Sequence, residues 1–195
     1  QAAGGRLGFA VDRTMKAAQK LYEGGHISYM RTDSVILSED AIKAISSEIK
    51  SKYGDKYLMN RVFKSKAKNA QEAHEAIRPT HMENMTAGND SDEQRLYEVI
   101  WKRSIASQMS DATVENTTVT IGTSGIKEQF VAKGQVMKFD GFTKVYSDID
   151  ESKEEDENEE SDSKALPTNE KGDKLSFKEI VSAQSFTKPA PRFNE

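Results

Sequence analysis

Cysteine is absent from the 195 residues, which excludes disulfides, thiolate nucleophiles and cysteine-ligated zinc or iron–sulfur centres. No run of 18 apolar residues occurs, which excludes a membrane-spanning helix. There is no Gly-rich phosphate loop and no GxSxG elbow. Outside one acidic run there is no carboxylate cluster with metal-ligand spacing. The first residues carry no signal-peptide pattern, so a cytoplasmic location is expected. The chain also lacks an initiator Met and opens as an internal segment would. Hydrophobic residues are scarce at 35%, against 31% charged, so one segment is expected to be solvated rather than packed. The length fits one domain or two small ones. A formal net charge of −4, taken whole, argues against a nucleic-acid partner.

Resolved along the chain, the charge says something else. Residues 1–110 carry 17 Lys and Arg against 14 Asp and Glu, while residues 111–195 carry 11 against 18. Between Asp148 and Asp162 ten carboxylates face the single Lys153, a local net of −9, so the rest of the chain is +5. No apolar side chain follows Ile149 in that run, so nothing offsets the entropy of ordering it. It reads as a disordered loop at about 148–165, with a DNA-mimicking or protein-docking role as the alternative.

Val11, Met15, Ala18 and Tyr22 recur at helical spacing, and Gly24-Gly25 supplies a stop. His26 to Met30 reads as an extended segment entering a loop. Ser38 is a good N-cap, Glu39 and Asp40 suit the positive end of the helix dipole, and Ile42, Ile45 and Ile49 form a buried stripe ending at Gly54. Ala70 to Arg78 reads as a short helix stopped by Pro79. Ser91-Asp92-Glu93-Gln94 reads as a capping box opening a longer helix with Leu96, Ile100 and Trp101 inward. From about Ala112 the pattern turns to strands at Thr113–Ile121, Ile126–Ala132, Gln135–Phe139 and Phe142–Tyr146, with a last one at Leu175, Phe177 and Val181. The expected class is α+β, a mainly helical orthogonal bundle over 1–110 followed by an antiparallel β domain over 111–188, with 189–195 beginning a further domain.

Two stretches could carry chemistry. In Tyr29-Met30-Arg31-Thr32-Asp33-Ser34, an extended backbone puts Tyr29 and Arg31 on one face, about 7 Å apart. A phenol beside a guanidinium suits phosphoryl transfer, the oxygen attacking while the planar fork binds the phosphate. A phenol's ordinary pKa of about 10 means that reaching phenolate at neutral pH costs roughly 4 kcal/mol without a base or cation. On the residues alone, Tyr29 as an amphipathic core residue with Arg31 in a surface pair is the stronger reading. In Ala73-His74-Glu75-Ala76-Ile77-Arg78-Pro79-Thr80, a helix would set His74 and Arg78 on one face, a pair suited to a phosphodiester. The fifth position of His74–Arg78 is Arg rather than His, so this is no metalloprotease motif. A structural histidine fits as well. Arg61, Lys64, Lys66 and Lys68 form either a phosphate-tracking patch or an ordinary solvated loop.

Taken together, Leu7-Gly8-Phe9, Ala18 to Gly24, Ile27 to Ser34 and Ala73 to Thr80 resemble the active-site region of the bacterial type IA DNA topoisomerases, the topoisomerase I branch. Phe186-Thr187-Lys188-Pro189 and Pro191 to Glu195 resemble the segment that leads back into the catalytic body. Met30 and the form His74-Glu75-Ala76-Ile77-Arg78-Pro79-Thr80 set the chain apart from topoisomerase III, where Pro would follow the tyrosine.

The resemblance implies that Tyr29 is the nucleophile, forming a 5′-phosphotyrosine and freeing a 3′-hydroxyl. Arg31 would hold the tyrosine and the scissile phosphate, and His74 would contact DNA near the break. Asp33 and Arg78 align with supporting DNA-binding positions. Resealing would need no ATP, and the parent enzyme would break and rejoin single-stranded DNA and relax negatively supercoiled DNA, as a nucleoid-associated cytoplasmic monomer without a membrane partner. The Mg²⁺-binding acids of the TOPRIM domain lie outside this sequence. The expectation is therefore no cofactor in this stretch, an incomplete β arch, and no cleavage by this stretch alone. A different class also fits: a non-catalytic DNA- or protein-binding module in which Tyr29 is structural.

Overall fold

The computed structural model describes residues 1–63, 75–125, 127–150 and 165–187. His74, Lys64, Lys66, Lys68, most of the acidic run and the Lys188–Glu195 stretch therefore lie outside the described residues. The chain divides into two units, Gln1–Ala165 and Leu166–Glu195.

The first unit is organised by one long helix. It contains α1 (Ala2–Leu7), α2 (Val11–Glu23), α3 (Glu39–Lys52), α4 (Ser91–Ser107), strands β1 (Thr113–Gly122) and β2 (Gln129–Phe139), and α5 (Lys144–Asp150). Helix α4 touches all four other helices. Its Leu96, Tyr97, Trp101 and Ile105 follow the three- and four-residue helical spacing and are all buried. They meet Leu21 of α2, Ile45 and Ile49 of α3 and Val145 of α5 in one apolar core. Two polar groups on α4 reach the loop before it. The Trp101 indole donates to the Met82 carbonyl at 2.8 Å, and the Tyr97 hydroxyl donates to the Asn84 carbonyl at 2.8 Å. Burial, with the nearby Glu83 charge, pushes the Tyr97 phenol up to about 12, so it stays a donor across the physiological range.

Side-chain caps open α3 and α4, whereas α1 and α2 start without one. Ser38 accepts from the Ala41 N–H and opens α3, as expected. The cap of α4 is Asp90, one residue earlier than the sequence suggests, and it accepts from both Asp92 and Glu93 N–H. The Glu93 carboxylate turns back to accept at 2.7 Å from the N–H of Asn89, the residue before the cap, where a strict capping box would use the N–H of the cap itself.

The inward face of α2 differs from expectation. Ala17, Ala18 and Leu21 are buried, whereas Val11, Met15 and Tyr22 are exposed. Two adjacent alanines let the helix approach α4 closely, and the larger side chains of the anticipated stripe flank that contact.

Strands β1 and β2 form a two-stranded antiparallel sheet pairing Thr117 with Gly134 and Val119 with Ala132, with an irregularity at Thr113 and Val114. Helices with an antiparallel sheet make the chain α+β, as expected. Strand β2 runs continuously through both stretches anticipated as separate strands. The next stretch, Phe142–Tyr146, is helical rather than extended. Val145 is buried beside α4, and Arg6 lies 4.2 Å over the Tyr146 ring. Gly141 makes the passage possible. Its φ is 51°, and a Cβ there would lie 2.5 Å from the Asp111 carbonyl carbon. Nearby, Tyr57 packs on Phe139 with ring centroids 4.9 Å apart and donates to Asp140 at 2.7 Å, closing the base of the hairpin.

The described part of the second unit, residues 166–187, contains no helix or strand. Leu175, Phe177 and Val181, expected in a last strand, are exposed there. Among the described residues of this unit no neighbouring strand is available to satisfy its backbone groups. Among the described residues no helix is long and apolar enough to cross a membrane.

The Asp90 cap yields a pH test. Hydrogen bonding from Lys20 first, and then from the Glu93 N–H, lowers its carboxyl to about 2 from an ordinary 3.8. Its charge therefore stabilises the fold above about pH 4 and ceases to do so as pH falls toward 2. Asparagine caps as well as aspartate but carries no charge. Asp90→Asn is expected to be less stable than wild type in urea unfolding at pH 7, with the gap narrowing between pH 4 and 2. A gap constant over that interval would contradict this account.

Candidate active site

Tyr29 stands on a short segment pinned by its neighbours. The segment leaves the Ile27–Pro79 bridge through bends at Ser28, Met30 and Arg31 rather than in the extended run expected. Ile27 is 1% exposed and Met30 8%, whereas Tyr29 is 46% exposed. Two apolar anchors thus flank an outward phenol. Arg31 is also exposed, with Met30 buried between it and Tyr29. Asp33 is exposed farther along the same loop. The loop is ordered locally by hydroxyls: Ser34 N–H donates to Thr32 Oγ1 at 3.0 Å, and Ile36 N–H donates to Ser34 Oγ at 3.2 Å.

The second motif lies directly beside the first. Ile27 pairs with Pro79 in an antiparallel bridge. Ser28 N–H donates to the Arg78 carbonyl at 2.8 Å, and Thr80 N–H donates to the His26 carbonyl at 3.0 Å. The Ser28 hydroxyl donates to the Ala76 carbonyl at 2.8 Å and accepts from the Arg78 N–H at 2.9 Å. Glu75 to Arg78 is therefore not the end of a helix. This stretch forms its hydrogen bonds with the Tyr29 segment instead.

Arg78 is not presented as an open cation. Its Nε and Nη2 donate to the two Glu75 oxygens at 2.7 and 3.0 Å, and Nη1 donates to the Pro79 carbonyl at 2.9 Å. Burial pushes the Glu75 carboxyl up, but Arg78 and Ser38 together hold it below the usual carboxylate range. The structure thus joins Tyr29, Arg31 and Asp33 on one loop to Arg78 at its base. His74 lies outside the described residues, one position before Glu75.

Sequence reasoning did not single out Tyr22, Ser28 or Glu75. The Tyr22 ring meets Tyr29 edge-on, with centroids 5.2 Å apart and planes at 69°. Its signal was present as an aromatic seven residues before Tyr29 across the Gly24-Gly25 turn, but helical spacing assigned it to the core. Among the described residues no group of three His, Asp or Glu side chains converges to hold a metal ion. Glu75 receives donors on both oxygens, and Asp33 stands alone, so these residues do not fit a Mg²⁺ site.

A family model described as DNA topoisomerase matches residues 1–195, the whole chain. This chain belongs to the DNA topoisomerase family. It is 44% identical to DNA topoisomerase 1 of Rickettsia felis, covering 100% of this chain and 26% of that protein. It is 43% identical to DNA topoisomerase 1 of Pasteurella multocida, covering 100% of this chain and 22% of that one. The structure resembles full-length topoisomerase I from Thermotoga maritima at a TM-score of 0.66 and 35% identity, over 86% of this chain and 27% of that chain. The chain thus spans about a quarter of the length of the relatives it matches.

The bridging hydroxyl at the base of the loop is open to test. Ser28→Ala removes a donor from the Ala76 carbonyl and an acceptor from the Arg78 N–H in a half-buried place. A loss of about 1–3 kcal/mol in unfolding free energy is expected, with faster hydrogen exchange at the Arg78 amide. Unchanged exchange there would show that the hydroxyl does not hold the two segments together.

Proposed function

We propose that this chain is the nucleophile-bearing part of a type IA topoisomerase, and that Tyr29 attacks single-stranded DNA. Tyr29 Oη bonds to the scissile phosphorus, the bond to the 3′ oxygen breaks, and the phenol proton ends on that oxygen. The products are a 5′-phosphotyrosine and a free 3′-hydroxyl. One phosphodiester is exchanged for another, so the reverse reaction reseals the strand without ATP, after a second strand has passed.

The observation that carries the reading is the placement of Tyr29. It is exposed yet anchored on both sides by Ile27 and Met30, on a segment hydrogen-bonded to the stretch that follows His74. A tyrosine needed only for packing has no reason to stand outward between two buried neighbours. Arg31, exposed on the same loop, serves as the charge that meets the phosphate. His74 serves as a DNA contact and Asp33 as a supporting group. Residues 1–110 form the helical domain that carries the nucleophile, residues 111–188 form part of a β arch around DNA, and 189–195 begin the next domain. Mg²⁺ is bound by a TOPRIM domain outside this chain, which accordingly does not cleave DNA alone.

The test uses the full-length protein that contains this sequence. With Mg²⁺ it is expected to relax negatively supercoiled DNA and to leave a trapped covalent adduct on Tyr29. Tyr29→Phe is expected to abolish both while retaining oligonucleotide binding. An adduct or relaxation that survives Tyr29→Phe would sink the assignment, and binding without any adduct in the wild type would favour a non-catalytic module.

A further inference from the structure

The loop from Tyr29 to Leu37 is closed at both ends by the same four residues, Glu75 to Arg78. At its start the Ser28 hydroxyl bridges the Ala76 carbonyl and the Arg78 N–H. At its end the Ile36 carbonyl accepts from the Ala76 N–H at 2.8 Å. Ser38 there gives both its N–H, at 2.9 Å, and its hydroxyl, at 2.8 Å, to Glu75 Oε1. That hydroxyl is also the N-cap of α3, accepting from the Ala41 N–H. Glu75 therefore receives Ser38 and Arg78 on one carboxylate, with the Arg78 guanidinium folded back on it and on the Pro79 carbonyl.

An ordinary surface Arg–Glu pair contributes little. This one differs in two respects. The Arg78 and Glu75 side chains are only 19% and 25% exposed, and the carboxylate sits at the positive end of α3, where a negative charge is favoured. It joins two pieces of chain: the start of the helix that follows the loop, through Ser38, and the stretch that closes the loop, which begins directly after His74.

Resting on the reading of Tyr29 as nucleophile, we propose that Glu75 is the positioning residue of the site, holding the Tyr29 loop and the chain beyond His74 in one frame, with Arg78 as its counter-ion. Arg78 acts through Glu75, and the phosphate-facing charge is left to Arg31. Small displacements of a reacting group cost large factors in rate, about 100-fold for roughly 1 Å, so loosening this frame affects chemistry before it affects binding.

The experiment again uses the full-length protein, with a single-stranded oligonucleotide as probe. Single-turnover adduct formation, noncovalent oligonucleotide affinity and amide hydrogen exchange are measured for Glu75→Ala, Glu75→Gln and Tyr29→Phe. Glu75→Ala is expected to slow adduct formation about 10- to 100-fold, with affinity held within about threefold. Glu75→Gln keeps the size and one acceptor oxygen and is expected to lie between Glu75→Ala and wild type. The Ser38 and Ala76 amides are expected to exchange faster in Glu75→Ala, while those of α4 are unchanged. Adding Arg78→Met to Glu75→Ala is expected to slow the reaction little further, because the two act as one unit.

Wild-type adduct rates in both Glu75 variants, with none in Tyr29→Phe, would overturn the positioning role and leave the nucleophile assignment standing. Adduct formation by Tyr29→Phe would instead overturn the nucleophile assignment. Slow cleavage accompanied by faster exchange throughout α4 in both Glu75 variants would make the role merely structural and overturn the inference. An additive loss of oligonucleotide affinity on Arg78→Met would return Arg78 to the DNA interface and do the same.

Discussion

The pairing of Ile27 with Pro79 is the constraint on which the Tyr29 site depends. The two residues face each other at a position of the antiparallel ladder where neither exchanges a hydrogen bond. The bonds lie on either side, from Ser28 N–H to the Arg78 carbonyl and from Thr80 N–H to the His26 carbonyl. A proline has no N–H to give, so it fits this place without leaving an acceptor unmet. Its ring and the Ile27 side chain are both fully buried. Once that contact is made, Ser28 meets the second motif and Tyr29 turns outward. Ser28, Ile36, Ser38, Glu75 and Arg78 close the loop from there.

That proline also marks where sequence reasoning about the site stopped. Pro79 after a run of helix-forming residues reads as a helix stop, and the same residue reads equally well as a ladder position that needs no donor. Local propensity does not distinguish the two, because the partner strand lies about fifty residues earlier in the chain. The choice is made by tertiary hydrogen bonding, which a single segment does not contain. Features set by local chemistry were legible: Ser38 as a cap, Ile45 and Ile49 as core, and the start of β1 at Thr113. Features set by what a segment meets were not. The face of α2 follows from the close approach that Ala17 and Ala18 allow, and the helix at Lys144–Asp150 follows from burial of Val145 beside α4. Tyr29 and Arg31 are legible as a phenol beside a guanidinium and through resemblance, whereas the role of Glu75, in the second motif, is not, because its partner Ser38 is thirty-seven positions away.

An acidic total is no guide to the surface that meets a ligand. Ten of the 32 carboxylates fall between Asp148 and Asp162, far in sequence from Tyr29 and Arg31. Several of the remaining acids are joined to cations: Asp92 to Arg13, Asp90 and Glu93 to Lys20, and Glu75 to Arg78. Arg31 on the Tyr29 loop is accompanied there by a single acid, Asp33. Charges within about 10 Å act most strongly at ordinary salt, and within the loop itself Asp33 is the acid beside Arg31.

The Tyr29 side chain is 46% exposed and so is not fixed by burial, and its order has to come from contacts at its edge. Tyr22 supplies one. The turn after α2 requires Gly25 at a φ of 72°, a conformation that side chains rarely tolerate, and it brings the chain back so that Tyr29 stands against the last turn of the helix. The edge-on ring contact restricts the swing of the Tyr29 ring without enclosing it. Gly24-Gly25 therefore does more than end a helix. It sets the distance between two aromatic rings, and with Ile27 and Met30 below, the chain holds an exposed side chain in place without enclosing it.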